Sequence, residues 1–143
     1  MPHRRDAAPR YVVLIDGSEG AYGVVVPDLP GCTAMGATID EALTAALDAM
    51  RDWADVVEET AGEVPAPRAA ETVRTDPEVG EALAEGAMLA SIALLRPSGH
   101  QIKANLSLDA GVLAVLDAEA RRNGLTRSAM VEAMTRRLAA GTL

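Results

Sequence analysis

The chain has 143 residues, a net charge of −8 and 49% hydrophobic residues. That is enough for one ordinary domain or two small ones and too apolar for a disordered chain, and no stretch approaches the roughly 18 apolar residues of a membrane span. A single cysteine, Cys32, excludes an intrachain disulfide and a cysteine metal cluster; it fits a reducing compartment, so a cytoplasmic protein without metal or cofactor is expected.

The charge is unevenly divided: residues 1–99 carry a net −10 and residues 100–143 a net +2. An acidic body with a mildly basic end predicts two units that meet two kinds of partner. Aromatics are nearly absent, with one Trp, two Tyr and no Phe. The core must therefore be aliphatic, which suits small elements that share burial with a second subunit.

Residues 1–10 read as a flexible arm. Tyr11–Asp16 is β-branched and apolar, Gly17–Gly20 supplies turn chemistry, and Ala21–Val26 repeats the strand pattern, which together predict a hairpin. Pro27-Asp-Leu-Pro-Gly31 interrupts the sheet, and Cys32–Gly36 can add a short third strand. Thr38-Ile-Asp-Glu41 is a capping box. Behind it, Ile39, Ala42, Leu43, Ala46, Leu47, Met50, Trp53 and Val57 fall on one helical face, with Asp48, Arg51, Asp52, Asp55, Glu58 and Glu59 opposite and Gly62 as the stop. Residues 63–74 read as a loop. Asp76 caps a short helix from Pro77 to about Glu85, and the apolar run 87–95 predicts a further strand. A linker, 96–100, follows.

Gln101–Leu108 alternates strictly, with Ile102, Ala104, Leu106 and Leu108 apolar and Gln101, Lys103, Asn105 and Ser107 polar, so it predicts a half-buried strand. Asp109 then caps a helix with an apolar stripe of Val112, Leu113, Leu116 and Ala120, ending at Asn123-Gly124. Thr126 caps a last helix with Met130, Val131, Met134 and Leu138 on one face. One strand and two helices cannot bury enough surface alone, and a lone strand leaves its backbone groups unpaired. Two chains pairing these strands antiparallel would solve both problems. The resulting ribbon fits a major groove roughly 12 Å wide, with Lys103, Asn105 and Ser107 reaching base edges. Thr126, Arg127 and Ser128, at the start of the last helix, would hold phosphate.

Two resemblances attach to these residues. Lys103-Ala-Asn-Leu-Ser-Leu, the helix, Asn123-Gly124 and Leu125-Thr-Arg-Ser-Ala-Met resemble a ribbon-helix-helix domain of the MetJ/Arc type over about residues 101–139. That resemblance implies an intertwined homodimer, possibly a tetramer, on a palindromic double-stranded operator. Tyr22-Gly-Val-Val-Val-Pro-Asp-Leu-Pro-Gly-Cys-Thr-Ala-Met-Gly-Ala-Thr-Ile-Asp-Glu-Ala-Leu43 is similar to the N-terminal domain of HicB antitoxins, over about residues 11–62. It implies an α+β chain with a partial RNase H-like domain at 11–95 and the ribbon-helix-helix domain at 101–143. It further implies a type II antitoxin that neutralises a HicA-like mRNA-cleaving ribonuclease toxin and represses its own operon. A stand-alone HicB-like transcriptional regulator without a toxin is the alternative. An acidic domain suits a basic toxin, and Asp28, Leu29, Cys32, Asp48, Asp52 and Asp55 are the expected contacts.

No enzyme is expected. Asp16 at a turn, Asp28 in the proline-rich loop, and Asp40 and Glu41 at a helix start all have structural explanations. His3 and His100 sit in the arm and the linker, Cys32 has no paired His, and Gly17–Gly20 is a turn rather than a phosphate loop.

Overall fold

The computed structural model describes residues 8–141. It holds strands β1 (Arg10–Ser18), β2 (Ala21–Val25) and β3 (Thr33–Gly36), helices α1 (Ile39–Glu59), α2 (Ala70–Val73) and α3 (Pro77–Ala84), strand β4 (Met88–Ala93), and helices α4 (Ala110–Arg122) and α5 (Arg127–Ala140). Most of the expected arm, residues 1–7, lies outside the described residues; Arg10 already belongs to β1. The strands form one antiparallel sheet in the order β3-β2-β1-β4. It is an α+β fold, and no helix among the described residues is long and apolar enough to cross a membrane.

β1 is central, and every residue from Tyr11 to Ile15 is buried. Its alternation serves two cores rather than one. Tyr11, Val13 and Ile15 pack with Val24, Ile92 and the α1 residues Leu43, Ala46, Leu47 and Met50. Val12 and Leu14 face the other way, against Val73 and Val79 under α2 and α3. The sheet is thus covered by a long helix on one face and by two short helices on part of the other.

The hairpin register pairs Ser18 with Ala21, so β1 runs through the expected turn residues Gly17 and Ser18, and the connection is Glu19-Gly20 alone. Helix α1 begins as the capping box predicts. The Thr38 hydroxyl accepts from the Glu41 amide at 3.1 Å, and the Glu41 carboxylate accepts from the Ala37 amide at 3.0 Å. Its end differs: Ala61, not Gly62, takes the left-handed turn with φ 58°, and the Gly62 amide donates back to Val57.

The expected loop 63–74 contains α2, whose Val73 is fully buried. Asp76 stands at the N-cap of α3 but its carboxylate makes no capping bond; it pairs with Arg68 instead. The run 87–95 does supply β4, paired with β1 from Met88 to Ala93.

Residues 101–109 form no strand, and Ile102, Leu106 and Leu108 are exposed. The expected partner strand is a second copy of the same segment, which a single chain cannot supply. The two following helices form with the expected caps: Asp109 accepts from the Gly111 and Val112 amides, and Thr126 accepts from Ala129. They are not separate from the first unit, because Ala139 and Ala140, at the end of α5, are buried in the main core.

Candidate functional site

Two surfaces collect the residues that the sequence singles out. The first is the outward face of α1, turned to solvent because the apolar stripe turns the other way. Asp48, Asp52 and Asp55 are exposed there. Arg51 lies 3.4 Å from Asp48 and 3.3 Å from Asp52, and Arg96, from the linker, reaches Asp55 at 2.7 Å and Glu58 at 2.6 Å. Its hydrogen bonds hold the Glu58 carboxyl below the usual carboxylate range and push the Arg96 guanidinium up. Even so, five acids on this face, Asp48, Asp52, Asp55, Glu58 and Glu59, stand against Arg51 and Arg96, so it stays net negative.

The Pro27–Cys32 loop does not present Asp28, Leu29 and Cys32 to a partner, contrary to the expectation. Leu29 is fully buried and Cys32 nearly so, both in the main core. Burial pushes the Cys32 thiol up, away from nucleophilic use. The loop closes on itself: the Val26 amide donates to Cys32, Leu29 to Val26 and Cys32 to Leu29. The Asp28 side chain, only 6% exposed, accepts from the Arg68 amide at 2.7 Å and from Arg68 Nε at 2.6 Å. Arg68 then gives its remaining nitrogens to Asp76 at 3.0 and 2.8 Å, which holds the Asp76 carboxyl down. Tyr11 donates to the Pro65 carbonyl, and burial, with Asp28 nearby, pushes its hydroxyl up. The Pro27–Cys32 loop and the segment 63–69 before α2 are thereby fastened to each other. The sequence does not single out Arg68, since no local pattern points from it to a carboxylate 40 positions away.

The candidate carboxylates for catalysis are not assembled. Asp16 pairs across from Gly23 in the hairpin, Asp28 is held by Arg68, and Asp40 and Glu41 occupy the first turn of α1. No group of three or more His, Cys, Asp or Glu placed to hold a metal occurs among the described residues.

The second surface is the C-terminal unit. Lys103, Asn105 and Ser107 are all exposed. Asn105, Arg127 and Ser128 line one groove of ≈ 490 Å³, together with Ile102, Leu106 and Leu113. Thr126 caps α5, so its hydroxyl is engaged with the Ala129 amide. Arg127 is bidentate to Asp117 at 2.9 and 3.0 Å, which lowers the Asp117 carboxyl. A second groove of ≈ 670 Å³ between α4 and α5 is walled by Leu106, Val112, Val115, Met130, Met134 and Leu138. Of the expected stripes, Ala120 is buried and Leu113, Leu116, Met130 and Val131 are half-buried, but Val112, Met134 and Leu138 are exposed, as is Val115 beside them.

A family model described as the HicB-like antitoxin of bacterial toxin-antitoxin systems matches residues 11–135. Among solved structures, the chain is similar to the Burkholderia pseudomallei antitoxin HicB at 25% identity and TM-score 0.52, covering 90% of this chain and 97% of that one. It shares the fold of the antitoxin HicB3 at 20% identity and TM-score 0.51, over 90% of this chain and 96% of that one. No curated protein matches it.

Proposed function

The chain belongs to the HicB-like antitoxins of bacterial toxin-antitoxin systems, and on that premise we propose that it is a type II antitoxin that neutralises a HicA-like ribonuclease and represses its own operon. Membership implies a toxin as partner, and the acidic outward face of α1 suits a basic one through charge attraction. Asp48, Asp52 and Asp55 remain as the contacts on that face. Asp28, Leu29 and Cys32 are left out, because their side chains are buried.

The observation that carries the DNA half of the reading is the open apolar surface of the C-terminal unit. Ile102 is 79% exposed and Leu106 66%, beside the unfilled groove of α4 and α5. Aliphatic side chains spaced for a strand and left in water call for a second copy. Pairing two such segments would align Lys103, Asn105 and Ser107 of both chains on one side of a ribbon, with Thr126 and Ser128 at the nearby start of α5 for phosphate. Arg127 would join them by exchanging Asp117 for phosphate. The protein acts by binding and has no catalytic step.

Co-expression with any small basic protein encoded beside it, followed by mass measurement and DNA titration, tests both halves. The expected result is a complex of toxin with at least two copies of this chain, loss of the toxin's RNA cleavage, and specific binding to the operon's own promoter. Specific DNA binding with no toxin captured would make the chain a stand-alone regulator. A monomer that ignores DNA would overturn the ribbon. Lys103 is the only lysine in the chain, so an amine-reactive label reports on it with only the terminal amine beside it. Operator DNA should protect it.

A further inference from the structure

We propose that the outer edge of β3, with the groove that α1 leaves beside it, receives an extended, basic segment of the toxin as a fifth strand of the sheet. The inference rests on the antitoxin reading and names the surface that reading uses.

The two edges of the sheet are treated differently. At the β4 edge, the Ser91 carbonyl accepts from Arg10, and the end of α5 packs close enough that a Cβ on Gly141 would lie 3.6 Å from that carbonyl. At the other edge, β3 is the terminal strand, and its sequence Thr33-Ala-Met-Gly36 holds no proline or charge. Proteins usually blunt such an edge with charge, proline or a covering element. β3 carries neither charge nor proline, α1 covers only its inner face, where a Cβ on Gly36 would lie 2.4 Å from the Ala42 amide nitrogen, and Met35 on the other face stands 71% exposed.

A ready-made channel runs beside this edge. Thr33, Asp52, Trp53, Val56 and Val57 line a groove of ≈ 380 Å³ between β3 and α1. The Trp53 indole donates to the Pro30 carbonyl at 2.9 Å, so its wall is fixed in place. Val56 is 58% exposed. An edge strand with a helix alongside is the geometry by which an extended segment adds to a sheet. The unpaired backbone of β3 selects a strand, because a helix has no backbone groups left to pair with it. Alternate side chains of the incoming strand would lie against Met35 and against Trp53 and Val56.

Charge decides the occupant. Asp52 lines the groove, and Asp48 and Asp55 continue the same acidic helix face. A second copy would bring a second acidic helix against the first, whereas a basic segment meets opposite charge.

The test uses the full chain and the toxin that co-purifies with it. Met35→Lys should weaken toxin binding by about tenfold or more, while Met88→Lys, on the opposite edge strand, leaves affinity within about twofold. Both residues are exposed, and circular dichroism confirms that both variants fold. Amide exchange at residues 33–36 should slow when toxin binds. Toxin bound equally well by Met35→Lys, or unchanged exchange at 33–36, overturns the inference and leaves the antitoxin reading standing. Protection of these amides in the concentrated free chain, abolished by Met35→Lys, makes a second copy the occupant and also overturns it. A wild-type chain that captures no toxin removes both.

Discussion

Arg68 joins three parts of the molecule through one side chain. Its amide and Nε hold Asp28 of the Pro27–Cys32 loop, and its terminal nitrogens hold Asp76 at the start of α3. Arg68→Met would leave the nearly buried Asp28 carboxylate without its partner. It should lower the melting temperature more than Arg51→Met does, since both partners of Arg51 are open to solvent. The pH dependence has a definite sign. Asp76, Glu58 and Asp117 are all lowered by hydrogen bonds from arginine. The folded state therefore binds fewer protons than the unfolded one. Their contribution to stability is complete above the unfolded carboxylate value of about 4 and is lost as pH falls through the lowered folded values. Thermal melts should be level down to about pH 5 and fall below about 4, with a shallower acid slope for Arg68→Met. Among the DNA candidates, Asn105→Ala should lose about 1–3 kcal/mol on operator DNA and little on random DNA. Equal losses on both would remove Asn105 as a base reader. In the sequence Asp76 reads as a cap because it precedes Pro77, and Asp28 as a partner contact because it lies in the proline-rich loop. Pairing with an arginine outside the local pattern leaves no trace in either stretch.

Helix α1 could be read in advance, because its cap is a four-residue signal and its apolar stripe repeats over five turns. Thr38→Ala should cost about 1 kcal/mol in chemical denaturation. Ala61→Gly should add about 0.5–1 kcal/mol, because Ala61 sits at φ 58° where only glycine is unstrained. The sequence points one residue past that end, because its glycine stands at 62 and the left-handed turn at 61. Helix α2 leaves no mark in the sequence, because four residues hold barely one turn of pattern. Gln101–Leu108 is the reverse case, with a clean alternation but no strand. Period two records which side chains share a face, whereas a strand exists only where a ladder partner stands. Amide exchange at 101–108 should therefore slow with rising protein concentration, and Leu106→Asp should abolish the slowing.

At the scale of the whole chain, the sequence suggested two units on a linker, and the structure ties them at two points. Arg96 clamps the start of the C-terminal unit to Asp55 and Glu58 of α1, and Ala139 and Ala140 plug its end into the main core. Composition could not show this, because two alanines at a helix end read as surface. The stretch between those anchors is a loop closed before any second copy arrives. Closing a loop removes chain entropy that association would otherwise have to overcome. Ala140→Asp should accordingly weaken self-association, although it alters no residue of the groove between α4 and α5. On the dimer reading, the far end of α5 would act on affinity as a preorganising clip, since Ala139 and Ala140 lie in the chain's own core.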